Sequence, residues 1–154
     1  MGTRSTYRFR EIWTDDKTGK KHAEDVALVY FQMDGYPTGH PKDSAEWFAK
    51  GTMVNGIGMT ENRVIFNGVG CLAAQFIAAN KSGAGSVYLY PTKSRGKCGE
   101  NYLYDVTVEY DADYKPGPIR MAAYENYGKR PKLLWEGEPK DLDVCMKIYE
   151  TEEV

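Results

Sequence analysis

A nine-residue stretch, YLYDVTVEY at residues 102–110, constrains the fold of this chain more than any other segment. Tyrosine and valine occupy every second position, and the residues between them are leucine, aspartate, threonine and glutamate. Alternation with period two predicts a β-strand whose tyrosine and valine face is buried. The chain is therefore expected to build a sheet with one face against a core.

Other segments have the composition of strands or helices. Strand formers predict five more strands, at residues 6–13, 26–33, 86–91, 119–124 and 132–137. Helices are predicted at 43–50, with Asp43 or Ser44 as the cap, at 69–80, and in a short stretch after Glu138. Residues 53–70 are predicted to be a long loop, with a short helix or strand near 63–66.

The order of these elements indicates the fold class. Strands and helices do not alternate regularly, because two strands come first, then helices, then a run of strands joined by turns. This order predicts an α+β fold: a mainly antiparallel sheet of about six strands with two or three helices packed on one face. With no repeat and no linker, residues 1–154 are expected to form a single domain.

Composition excludes several classes of function. A formal charge of -2 and a pI near 5.7 disfavour generic nucleic-acid binding. No stretch reaches the roughly 18 apolar residues that a membrane helix needs, so no membrane partner is expected. Three widely spaced cysteines, an odd number, favour a reducing cytoplasm over a disulfide framework. With two histidines they match no zinc pattern, so neither a metal nor a cofactor is predicted.

The loop DGYPTGHP, at residues 34–41, combines chemistry with backbone constraint. Gly35 accepts a positive φ, and proline after Tyr36 favours extended geometry there. One interpretation is a ligand loop in which Asp34 accepts hydrogen bonds, Tyr36 stacks and His40 donates. The other is a structural turn, with Asp34 bonded to its own backbone and His40 solvated. His40 is also a candidate general acid or base, with Asp34 as its orienting partner.

A second candidate cluster lies at the N-terminus, where Arg4, Ser5 and Thr6 follow one another. Hydroxyls beside an arginine suit a phosphate or a carboxylate. If the first two strands form a hairpin, Arg4 is expected near Asp34. The pair would then form either a salt bridge or a shared anion or nucleotide pocket.

Two further segments are interpreted mainly as structure. The glycine-rich NGVGCLAAQ at 67–75 opens a helix but lacks both a P-loop and a dinucleotide fingerprint. The basic segment TKSRGKCGEN at 92–101 is predicted to be a hairpin tip with solvated charges. Its cations could lower the pKa of Cys98 and make that thiol reactive.

Two motifs resemble a family of small uncharacterised bacteriophage and prophage proteins. The matching stretches are MGTRS at residues 1–5 and FQMDGYP at 31–37, and VYLYP and YLYDV are also similar. Phe31 and Met33 stand where a histidine and a tryptophan are common, which weakens a catalytic role for this loop. The resemblance implies a phage-type origin, a cytoplasmic site of action and an accessory role, with no settled activity to carry over.

These observations leave three hypotheses. The first is a non-catalytic phage-type module that captures a small anionic ligand, such as a signalling nucleotide, and so counters host defence. It would use Arg4, Ser5, Thr6, Asp34, Tyr36 and His40. The second is an inhibitor of a host protein that uses a tyrosine-rich sheet face, since the chain has 12 tyrosines, which would also suit a homo-oligomer. The third is a small enzyme using His40 and Asp34.

Overall fold

The computed structural model describes residues 2–55 and 64–141. These ranges contain two helices, α1 (His40–Ala49) and α2 (Gly68–Asn80). Their strands are β1 (Ser5–Thr14), β2 (Lys21–Phe31), β3 (Thr52–Val54), β4 (Ile65–Asn67), β5 (Val87–Tyr90), β6 (Tyr102–Tyr110), β7 (Arg120–Glu125) and β8 (Lys132–Gly137). The predicted α+β class is confirmed.

Six strands form the main sheet, in the order β5-β2-β1-β6-β7-β8. All neighbours are antiparallel except β1 and β6, which run parallel over nine residue pairs, from Ser5–Tyr102 to Trp13–Tyr110. The two central strands of the sheet are therefore far apart in sequence, since β1 begins at Ser5 and β6 at Tyr102. A separate two-stranded parallel sheet pairs β3 with β4, where a long loop with one short element was predicted.

The sequence predicts a hairpin that joins the strand at residues 86–91 to the strand at 102–110, and this prediction is wrong. β5 pairs with β2 at the edge of the sheet, whereas β6 lies on the far side of β1. Pro91 follows β5 directly and cannot donate a ladder hydrogen bond, which favours the end of the strand there. Residues 91–101 then cross the sheet through a single 3₁₀ turn at Thr92–Ser94, which contacts β2. We call residues 91–101 the crossing segment.

One face of the sheet packs against the helices to form the core. The even-numbered residues of β6, from Tyr102 to Tyr110, are all buried there, as their alternation predicts. Phe48 of α1 and Phe76 of α2 lie within 5.1 Å of each other, ring centre to ring centre, above Phe9 of β1. We call this the core face, and the opposite side of the sheet the open face.

The first and the last of the predicted helices differ from the structure. Helix α1 begins at His40, three residues before the predicted cap, because Pro41 fits the first helical turn. Ser44 consequently points inward and accepts a hydrogen bond from Tyr7. The predicted C-terminal helix begins as a 3₁₀ turn at Pro139–Asp141, and its remainder lies outside the described residues. Within the described ranges, no helix is long and apolar enough to cross a membrane.

Candidate functional site

The DGYPTGH loop places the His40 ring inside the protein. Its Nδ1 lies 2.9 Å from the Tyr7 hydroxyl and its Nε2 lies 3.4 Å from Oγ of Ser5. The ring also stacks on Phe31, with the ring centres 4.1 Å apart. The Tyr7 hydroxyl donates to Ser44 at 3.2 Å, so its oxygen is left to accept from Nδ1–H. Both ring nitrogens of His40 therefore face protein groups.

This burial changes the proton affinity of His40. Desolvation lowers the pKa of the imidazole to about 4, because burial costs the charged form more hydration than the neutral form. At neutral pH the ring is therefore neutral. No hydrogen bond joins the carboxylate of Asp34 to this ring among the described residues; the two residues meet through their backbones, where His40 N–H donates to the Asp34 carbonyl at 3.1 Å.

The backbone of the same loop is fixed at several points. Gly35 N–H donates to the Thr3 carbonyl at 3.0 Å, and the Tyr104 hydroxyl donates to the Gly35 carbonyl at 2.7 Å. Gly35 leaves no room for a side chain, since a β-carbon there would lie 2.5 Å from Oγ of Ser5. Asp34 has a φ of 58° and, like Tyr36, is exposed. The loop thus joins β2 to α1 through several fixed contacts and exposes Asp34, Tyr36 and Thr38 to solvent.

The hydroxyls of Ser5 and Thr6 point to opposite faces of the sheet. Ser5 faces His40, whereas Thr6 donates to Oε2 of Glu100 at 2.9 Å on the open face. Glu100 is buried and also accepts backbone N–H bonds from Gly96 at 3.0 Å and Cys98 at 2.8 Å. The bond from Thr6 holds the crossing segment on the sheet, and the bonds from Gly96 and Cys98 fix the conformation of the segment itself. Ser5 and Thr6 are both buried and already hydrogen-bonded.

Cys98 is not activated by the cations of the crossing segment. Burial, followed by the nearby Glu100 carboxylate, raises the pKa of the thiol to about 11. The thiol instead donates to the Ser94 carbonyl at 3.0 Å. The interpretation of Cys98 as a reactive thiol is therefore wrong, because burial and then the Glu100 carboxylate raise its pKa instead of nearby cations lowering it.

We expect the folded state to protect Cys98 from alkylation. With its pKa raised by about two units, its thiolate fraction at pH 7.5 should fall roughly 100-fold. Iodoacetamide should therefore label it about 100-fold more slowly in the native protein than in urea. Mass spectrometry of a variant with Cys71→Ser and Cys145→Ser measures both rates. Equal rates would show that the thiol is not held as described.

The segments that carry Arg4 and Asp34 are adjacent, since Gly35 N–H donates to the Thr3 carbonyl, but no ion pair joins the two side chains among the described residues. The backbone of Arg4 pairs with Asn101, and its guanidinium lies beside Gly99, where a β-carbon would be 3.1 Å from a terminal nitrogen. The guanidinium also hydrogen-bonds the Tyr30 hydroxyl, which lowers the pKa of that hydroxyl against a larger upward effect of burial. Among the described residues no carboxylate forms an ion pair with Arg4.

Tyr30, which contacts this arginine, belongs to a group of three tyrosines on the open face. Tyr30 stacks on Tyr90 with ring centres 5.0 Å apart and lies 5.9 Å from the ring of Tyr88. We call Tyr30, Tyr88 and Tyr90 the tyrosine cluster. The ammonium of Lys81 lies 5.4 Å above the Tyr88 ring, so a second cation borders the cluster. The sequence shows three tyrosines but not that β5 crosses to β2, so this cluster was missed.

The candidate residues thus separate into three places. Ser5 and His40 meet on the core face, Thr6 and Arg4 lie at the open face, and Asp34 and Tyr36 remain on an exposed loop. No group of three metal-ligating side chains occurs among the described residues. Comparison of the chain with protein-family models, with curated protein sequences and with solved structures gives no match.

Proposed function

We propose that this chain is a non-catalytic binding module of the phage accessory type, which captures a small anionic ligand with a planar ring. A signalling nucleotide has this chemistry, and its sequestration would counter host defence. The observation that carries the proposal is Arg4, a cation without a carboxylate partner among the described residues, beside the tyrosine cluster.

The chemistry of this surface matches such a ligand. Arginine presents a planar fork of N–H donors that suits phosphate, and it lies next to aromatic rings that can stack on a base. Tyr88 is 41% exposed, so part of its side chain is accessible to a ligand. Lys81 adds a second positive charge at the rim, although its ammonium also donates to the Gly85 and Val87 carbonyls. Of the N-terminal candidates, this proposal uses Arg4, because Ser5 and Thr6 are bonded inside.

Binding is favoured over catalysis by the position and protonation of His40 and Cys98. His40 is half-buried and neutral, and its two ring nitrogens already face Tyr7 and Ser5, so neither nitrogen is free to contact a ligand. Cys98 is a protonated thiol at neutral pH. A general acid or base must reach the proton that it transfers, and the geometry of His40 directs it to the interior.

The proposal predicts that Arg4→Ala strongly weakens ligand binding. We would titrate the protein calorimetrically with nucleoside monophosphates, cyclic dinucleotides and ADP-ribose. One of these is expected to bind, with an affinity reduced about 10- to 100-fold in Arg4→Ala because a charge-assisted hydrogen bond contributes about 1.5–3 kcal/mol. Arg130→Ala is the matched control, since Arg130 is exposed and outside the cluster.

The state of the ligand after denaturation of the complex separates the hypotheses. Intact ligand supports capture, whereas a changed compound indicates an enzyme. If no compound binds, or if Arg4→Ala and Arg130→Ala bind equally, the proposal is wrong. A protein partner would then be favoured, because edge strand β5 exposes Leu89 by 67% beside Tyr88.

A further inference from the structure

An aromatic-walled cavity lies on the core-face side at the opposite end of β1 from Arg4. Its volume is about 420 Å³, within the range of small-molecule sites. Three aromatic residues line it, Trp13 of β1, Tyr110 at the end of β6 and Tyr114 in the following turn. Two carboxylates, Glu11 and Glu24, line it as well. We call this the aromatic–acidic pocket.

The two carboxylates face each other without a cation. Glu11 and Glu24 are direct partners in the antiparallel register of β1 and β2, so their side chains leave the sheet on the same face. Like charges in directly opposed positions destabilise a sheet. No ion pair reaches either of them among the described residues.

Three other strand carboxylates do form ion pairs with cations. Their ion pairs, with distances between the charged atoms, are Asp25 to Arg10 at 2.8 Å, Asp105 to Arg8 at 2.7 Å and Glu109 to Lys21 at 2.7 Å. Glu125 and Glu136 of the same sheet also have no ion pair among the described residues, but they lie opposite Lys132 and Ala122. What distinguishes Glu11 and Glu24 is that two carboxylates lie directly opposite each other. A bound cation would neutralise this pair in the same way.

Of the aromatic residues, Tyr110 is held in the core, whereas Tyr114 is 63% exposed and is held through its backbone. Tyr110 is 9% exposed, and the turn that carries Tyr114 is held by Asn55, whose side-chain amide donates to the Tyr114 carbonyl at 2.8 Å. Tyr114 has a φ of 60°, a conformation that most residues avoid. Ring faces attract cations most strongly when the cation sheds its water easily.

The electrostatics of the pocket agree with a missing positive charge. Burial, with Glu24 as the second cause, raises the pKa of Glu11. Burial and then the charge of Glu11 raise the pKa of Tyr110. A cation between these groups would oppose both effects, because it favours the ionised form of each.

We infer that the aromatic–acidic pocket binds an organic cation of the quaternary or methylated ammonium class. Ca²⁺ takes six or more oxygen ligands, and two carboxylates supply too few. A primary ammonium is strongly hydrated and gains less from ring faces. A methylated ammonium combines one positive charge for the carboxylates with an apolar surface for the three rings.

Choline and its neutral isostere, 3,3-dimethylbutan-1-ol, test this inference, because they share a shape and differ in charge. Isothermal titration of the full chain should show saturable binding of choline, and binding of the neutral compound at least about tenfold weaker. Glu11→Gln and Trp13→Ala should each weaken choline binding by about tenfold or more. Glu46→Gln, an exposed position on α1, is the matched control and should bind as the wild type does.

Glu11→Gln is well suited to this test, because removal of one of two opposed charges should leave the melting temperature unchanged or higher. Equal affinity for choline and its isostere would overturn the inference. So would equal choline binding by Glu11→Gln and Glu46→Gln, or no saturable heat up to about 10 mM choline. The result is independent of the anion proposal, since none of these variants lies near Arg4.

Discussion

Replacement of Asp105 by alanine is expected to lower the free energy of unfolding by about 3–5 kcal/mol, the largest effect of any substitution considered. The Asp105 side chain is 8% exposed and accepts two hydrogen bonds from each of two arginines. Arg8 approaches at 2.9 and 2.7 Å, and Arg95 at 3.0 and 3.1 Å. Alanine would leave two largely buried guanidinium groups without this carboxylate.

Urea denaturation measures this effect. Asp16→Ala, an exposed aspartate in the β1–β2 turn, is the control and should change the free energy of unfolding by less than about 0.5 kcal/mol. A triple variant with Arg8→Met, Asp105→Leu and Arg95→Met should recover most of the lost stability, because it removes the charges together. A loss below about 1 kcal/mol in Asp105→Ala would contradict the account.

This network also bears on the proposed ligand surface. Arg95 belongs to the crossing segment, and its guanidinium lies 5.2 Å above the ring of Tyr124 on the open face. The segment is therefore attached to the sheet through Arg95 and, a few residues later, through the buried Glu100. Gly99, which directly precedes Glu100 in sequence, lies beside the Arg4 guanidinium. The position of Arg4 thus depends on contacts between residues about ninety positions apart in sequence.

The sequence predicts the local features of this fold well. Alternation along residues 102–110 requires only that a strand has two faces, so both the strand and its buried side follow from the sequence. Alternation along a strand does not predict which other strand it pairs with. Whether β5 turns back onto β6 or crosses to β2 depends on contacts such as Thr6 with Glu100, which no local pattern reveals.

In the candidate site, too, local features could be predicted from the sequence and long-range contacts could not. Because adjacent strand residues point to opposite faces, the separation of Ser5 from Thr6 could have been predicted once residue 5 was included in the first strand. The burial of His40 could not, since it depends on Pro41 beginning α1 and on Phe31 and Tyr7 meeting the ring. The sequence correctly places the loop after the second strand. How the loop is held between β2 and α1 depends on these long-range contacts and could not be predicted.

The stability of the protein should fall as the pH is lowered from about 6.5 to 4, because of His40. The folded-state pKa of about 4 lies below the ordinary value of 6.5, so the unfolded chain binds the extra proton first. The contribution of the neutral ring is complete above pH 6.5, declines through this window and is gone below pH 4. A shift of this size corresponds to about 3 kcal/mol.

Urea titrations at intervals between pH 7 and 4.5 measure the slope. His40→Gln should be less stable than the wild type at pH 7 and should have a flatter pH dependence, because glutamine does not titrate. His22→Gln, at an exposed position on β2, is the matched control. The raised pKa of Glu11 acts in the opposite direction, since the folded state binds that proton first, and Glu11→Gln removes this effect. Parallel slopes for wild type and His40→Gln would mean that the imidazole is accessible to water, which would reopen a chemical role for the DGYPTGH loop.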